Sequence, residues 1–130
     1  MISAMYASIL ALLIVWLSLN VINKRKSNRV SIGDGGVTEL TVAMAAQSNA
    51  VEYIPIALLL LFALEHNGAS IILVHLLGIA LVAGRIIHAR GLLGNTLKVR
   101  VLGMQITLYT ILGLVIANAI YLPYGKLLRL

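Results

Sequence analysis

Asn49 and Glu52 stand three residues apart within a long apolar stretch, and Arg85 stands inside the next one. On a helix, i, i+3 spacing makes the amide and the carboxylate neighbours. A carboxylate facing lipid is expensive, so Glu52 is expected to face protein or a watered cavity. Arg85 is its expected partner: with the hydrocarbon beginning near Ala46, both groups lie at about the same depth. A guanidinium fork can hold a carboxylate through two parallel bonds. Such a set has two uses. It can join helices within an oligomer, as amides in membrane helices also do, or it can hold a ligand directly.

Further polar groups flank this set. His88 is one turn beyond Arg85 and can hydrogen-bond there, while His75 lies far along the same segment. Three separated histidines, four acidic residues and no cysteine make a poor metal constellation, so no metal site is expected. The missing cysteines also exclude disulfides and a thiolate nucleophile supplied by the chain. Arg100 opens the last apolar stretch, where it can snorkel to headgroups or offer positive charge to an anion. Gln105 and Tyr109 share an i, i+4 face, so Tyr109 can donate to a ligand or satisfy Gln105.

The elements that must position these groups follow from composition. Of 130 residues, 61% are hydrophobic and only 11% charged, with a mean hydropathy of +1.02. A soluble domain of this size needs far more polar surface. Apolar runs predict four transmembrane helices at about 2–22, 39–65, 69–88 and 99–122. The fold class is an all-α integral membrane protein, a four-helix transmembrane bundle forming one domain over 1–130. Thr38 is a plausible N-cap for the second helix, and Pro55 a plausible kink within it.

The formal charge of +6 collects between the apolar runs. Lys24, Arg25, Lys26 and Arg29 occupy the first loop, and Arg90, Lys98 and Arg100 the third. Juxtamembrane anchoring explains this better than nucleic acid, which is not an expected partner. Basic loops on one side predict a cytoplasmic location for both, with the two termini outside. Lys126 and Arg129 oppose this weakly from the far end.

The stretch Gly33-Asp34-Gly35-Gly36, followed by Ala46-Gln47-Ser48-Asn49-Ala50-Val51-Glu52-Tyr53-Ile54-Pro55, resembles the MAPEG family, the membrane-associated proteins in eicosanoid and glutathione metabolism. Gly84-Arg85-Ile86-Ile87-His88 resembles the family's third-helix signature. The resemblance extends to the bacterial branch and covers nearly the whole chain. It implies a multi-pass protein of a bacterial inner membrane, a homotrimer of twelve membrane helices, and contact with membrane lipids. Members that use glutathione bind it between neighbouring subunits near the cytoplasmic side.

By that resemblance Asn49, Glu52 and Arg85 are candidate glutathione contacts, with Glu52 near the amine and arginines near the carboxylates. Arg100 is similar in position to the arginine that stabilises the glutathione thiolate, which makes it the candidate catalytic residue. Arg25 or Arg29 would close the site from the first loop, and Tyr109 would donate to the ligand. The chain departs from the pattern at three positions: Ala45 replaces an arginine, Gln47 a histidine and Leu92 a tyrosine. Two functions are therefore carried forward. One is a glutathione-dependent transferase or peroxidase acting on a lipophilic small molecule. The other is a non-catalytic lipid-binding or structural membrane protein, and transport is a weaker third.

Overall fold

The computed structural model describes residues 1–129. Four long helices, α1 (Ile2–Asn28), α2 (Thr38–His66), α3 (Ile71–Leu93) and α4 (Leu97–Tyr121), are followed by a single turn, α5 (Tyr124–Leu127). The first four have 27, 29, 23 and 25 residues, and each is long and apolar enough to cross a bilayer. The expected all-α four-helix membrane bundle is the observed fold.

Several ends differ from the sequence reading, each for a local reason. Helix α1 continues through the basic stretch to Asn28, because cations near a helix C-terminus are favoured by its dipole. Lys24 and Asn28 also reach Glu39 on α2, at 3.4 and 2.7 Å. Thr38 is not the N-cap of α2: it lies inside the helix, and Val37 takes the cap position without a side-chain bond. Asp34 organises this entry instead, accepting from the Gly36 amide at 2.9 Å and the Thr41 hydroxyl at 3.0 Å. Helix α3 starts after Ser70, whose side chain accepts from the Leu73 amide at 3.2 Å, and runs five residues beyond His88. Arg90, Lys98 and Arg100 are therefore helical residues, separated by a turn of only three residues, 94–96.

Pro55 lies within an unbroken α2, forfeiting the amide that bonds the carbonyl four residues back. The inward stripe of α2 is Leu40, Ala43, Ala46, Ala50, Ile54, Ala57, Leu61 and Leu64, all buried and spaced three or four residues apart. The four alanines among them let the neighbouring helices approach closely. The closest approach is between α3 and α4. A methyl group at Gly91 would strike the backbone of Arg100, and one at Gly103 the backbone of His88. Gly91 is thus level with Arg100, and His88 with Gly103, which fixes the antiparallel register of this pair.

Depth in the bundle follows from two further contacts. Asn118 on α4 donates to the Leu60 carbonyl on α2 at 2.9 Å, a separation of 58 residues between helices running in the same direction. At the far end of α2, the Glu65 carboxylate accepts the Ile2 and Ser3 amides of α1 at 2.6 and 2.7 Å. Gln47 and Ser18 join the same two helices nearer the basic end, at 3.0 Å.

Candidate functional site

Arg85 is a charged side chain in the middle of the bundle and only 1% exposed. Burying a guanidinium requires that its donors be used, because an unpaired buried charge is very costly. One terminal nitrogen donates to Asn49 Oδ1 across the helix gap, and the other to Thr107 Oγ1 at 3.3 Å. His88 Nδ1 is 3.3 Å from the nitrogen that holds Asn49. A guanidinium can only donate, so His88 Nδ1 is the acceptor in that contact. The Tyr53 ring lies 5.8 Å from the guanidinium carbon, within cation–π reach. Of the three guanidinium nitrogens, only Nε is buried without a partner; the Ser3 hydroxyl, at the far end of the bundle, is the other such group among the described residues.

The expected Glu52–Arg85 pair does not form. Lys24–Glu39 at 3.4 Å is the only ion pair among the described residues. The reason is angular. At about 100° per residue, Glu52 sits roughly 160° around α2 from the inward stripe at Ala50, whereas Asn49 sits only about 100° away. Glu52 is accordingly exposed on the outer surface, where it accepts from the Ser48 hydroxyl at 3.3 Å. Thirteen residues precede it in α2 after Thr38, so this carboxylate lies at mid-helix.

The other candidates divide between places. Tyr109 is 72% exposed and Gln105 is exposed beside it; no hydrogen bond joins them among the described residues. Arg100 is exposed on the first turn of α4, beside a notch of about 80 Å³ lined by Gly91, Leu92, Asn95, Thr96 and Leu97. Ligand pockets run to roughly 300–1,000 Å³, so this notch alone holds no tripeptide. Arg25 and Arg29 line a different groove, at the end of α1, to which α3 and α4 contribute nothing.

Depth brings the outward groups into one layer. Asn49 and Thr107, bridged by Arg85, are 58 residues apart, the same offset as Leu60 and Asn118. By that offset Glu52 is level with Thr110, one residue from Tyr109. Glu52 and Tyr109 therefore share a depth while facing outward from different helices. Arg100, level with Gly91, lies six residues from Arg85 along α3, about 9 Å nearer the basic end.

Thr107 and Tyr53 escaped the sequence reading. Thr107 follows Gly103 by four residues, on the face that meets α3, and that glycine spacing was the available signal. Gln47 serves as a tie to α1 rather than as part of the Arg85 cluster. Leu92 packs against the apolar core, and Ala45 is exposed.

Known proteins resemble this chain over most of its length. The model of the MAPEG family matches residues 3–120. Two proteins named inner membrane protein YecN, from Escherichia coli strain K12 and from Escherichia coli O6:H1 strain CFT073, are each 44% identical to it over 124 residues. The alignment covers 95% of this chain and 95% of each relative.

Proposed function

Because this chain belongs to the MAPEG family, in its bacterial branch, we propose that it is a glutathione-dependent transferase or peroxidase acting on a lipophilic substrate within a bacterial inner membrane. The observation that carries the reading is the outward position of Glu52 at mid-helix. An ionised carboxylate there is not left to lipid, so a second copy of the chain covers it. Rotation about the membrane normal preserves depth. Glu52 of one copy would then meet groups of its own layer on the next, and Tyr109, one residue from that level, is the candidate partner. A homotrimer closes this contact three times.

The donor set suits glutathione. Arg85 Nε is a buried donor without an acceptor, Arg100 an exposed cation and Glu52 an exposed carboxylate. Together they offer partners for a carboxylate, the thiolate and the amine of the tripeptide. Arg85 would hold a carboxylate, Glu52 the amine, and Tyr109 would donate a hydrogen bond. Arg100 lies nearer the basic end, where its field favours the ionised sulfur over the protonated one. Bound glutathione supplies a soft nucleophile for an electrophile arriving from the bilayer. Seven of the ten Lys and Arg residues lie at the basic end of the bundle, which supports a cytoplasmic mouth with both termini outside.

One observation favours a non-catalytic, lipid-binding or structural role. Arg85 is already bonded to Asn49, Thr107 and His88, and the positions of Ala45 and Leu92 carry no polar group. Calorimetry with the detergent-purified oligomer separates the two. The transferase reading expects saturable glutathione binding that is lost in Glu52→Gln, and a thiolate absorbance that is lost in Arg100→Ala without loss of assembly. No saturable binding at millimolar glutathione removes that reading and leaves the non-catalytic one.

A further inference from the structure

Arg29 ends α1 in the left-handed region, at φ 54° and ψ 42°, with its amide turned back to the Arg25 and Lys26 carbonyls. Glycine is the usual residue in that conformation, because any Cβ is strained there. An arginine gives up stability and keeps a cation at one point on the surface. That point is the edge of a groove of about 350 Å³, lined by Ile22, Arg25, Lys26, Arg29, Val30 and Ser31.

The charges in this groove are uncompensated. Lys24, one residue before Arg25, is paired with Glu39 at 3.4 Å, whereas Arg25, Lys26 and Arg29 have no carboxylate partner among the described residues. Arg25 donates to the Gly33 carbonyl at 2.7 Å, which fixes the guanidinium without cancelling its charge.

An apolar track leads into it. Leu12, Val15, Leu19 and Ile22 recur at three- and four-residue spacing, so they share one face of α1 with Lys26 and Arg29. All four apolar side chains are exposed. From Leu12 to Ile22 the track is about 15 Å long at 1.5 Å per residue. That is half of a hydrocarbon core of about 30 Å, the depth of one leaflet. A chain lying on this track brings its headgroup to the three cations.

We propose that this groove binds one anionic phospholipid, its phosphate on Arg25, Lys26 and Arg29 and one acyl chain along Leu12, Val15, Leu19 and Ile22. A zwitterionic lipid carries its own ammonium beside the phosphate, so the groove selects by net charge. The groove shares no residue with the set formed by Glu52, Arg85, Arg100 and Tyr109.

Trp16, the only tryptophan, is 54% exposed and lies one turn from both Leu12 and Leu19, so it reports on the track. The full chain is placed in phosphatidylcholine bilayers containing a small fraction of lipid brominated on its acyl chains. Brominated phosphatidylglycerol is expected to quench Trp16 several-fold more effectively than brominated phosphatidylcholine. Arg29→Gly is expected to lower that preference about five-fold, the effect of one cation at an anionic lipid. Its thermal stability stays equal or rises, because glycine relieves the backbone. Lys26→Gln, which leaves the backbone unchanged, lowers the preference comparably and serves if Arg29→Gly does not fold. Lys98→Gln removes a charge from the same end outside the groove and leaves the preference intact. Four results overturn the proposal: equal quenching by both lipids; a loss in Lys98→Gln as large as in the groove variants; competition by inorganic phosphate at constant ionic strength, which marks a free-anion site; and no quenching by either lipid, which marks α1 as covered by another copy.

Discussion

Replacing Asn49 with leucine is predicted to destabilise the bundle more than replacing Arg85 with methionine, although arginine is the larger residue and the charged one. The Asn49 side chain is the acceptor that α2 presents to a guanidinium only 1% exposed. Without it, Arg85 stays charged and retains hydrogen bonds only to Thr107 and His88, both at 3.3 Å. Losing a hydrogen bond to a buried charge costs about 1.5–3 kcal/mol, and stranding the charge adds to that, so Asn49→Leu should cost about 3 kcal/mol. Arg85→Met removes the charge together with its desolvation cost. Thr107 keeps its own bond to the Gly103 carbonyl at 2.8 Å, leaving Asn49 and His88 each short of one partner. Those two losses, of about 1 kcal/mol each, are offset by no longer burying a cation, for a net of roughly 0–1 kcal/mol. In the double variant Asn49→Leu has no charge left to strand, so the cycle should show a coupling of about 2 kcal/mol. Reversible unfolding of the purified protein in mixed micelles, followed by circular dichroism, measures all three. The reasoning is refuted if Arg85→Met is the more damaging change, or if the two costs add to within about 0.5 kcal/mol.

Gly103→Ala should cost about 1–3 kcal/mol, because the new methyl meets the His88 backbone, which has no rotamer to escape through. Gly125→Ala, where the added group meets nothing, should be near neutral in the same thermal unfolding assay. Glu65→Gln leaves one acceptor oxygen for two amides, so exchange at Ile2 or Ser3, read by NMR, should quicken roughly tenfold. The Gly36 amide, then the Thr41 hydroxyl, hold the Asp34 carboxyl below its ordinary range. A depressed folded value means that its contribution to the turn is complete above the unfolded value of about 3.9 and is lost as pH falls through the lower one. The carboxyl carbon should therefore titrate below a peptide aspartate, and Thr41→Val should move its midpoint upward.

The four crossings were legible because a bilayer demands apolar runs of a set length, and composition alone reports those runs. Helix ends were not, because they depend on contacts between segments. Nothing local in Lys24-Arg25-Lys26 says that Glu39 will bridge back to Lys24 and Asn28 and hold the last turns of α1. The pairing of Arg85 failed for a different reason. Asn49 and Glu52 are neighbours at i, i+3, and spacing between two polar residues does not say which of them faces inward. The alanines at 43, 46, 50 and 57 did carry that information: they mark the inward stripe and put Glu52 behind it. The depth shared by Glu52 and Tyr109 lay beyond sequence, since it rests on the offset that Asn118 sets against Leu60.

The Glu65 carboxylate at the start of α1 also bears on the order in which the protein is made. Two amides of the first helix find their acceptor on a residue synthesised more than sixty positions later. A nascent first helix therefore enters the bilayer with that end still dependent on water or headgroups. Only when the end of α2 has crossed to the same side do its amides gain an internal partner. Insertion of the second helix thus releases the first from the interface, making the α1–α2 hairpin, rather than the single helix, the earliest unit that can settle fully into the membrane.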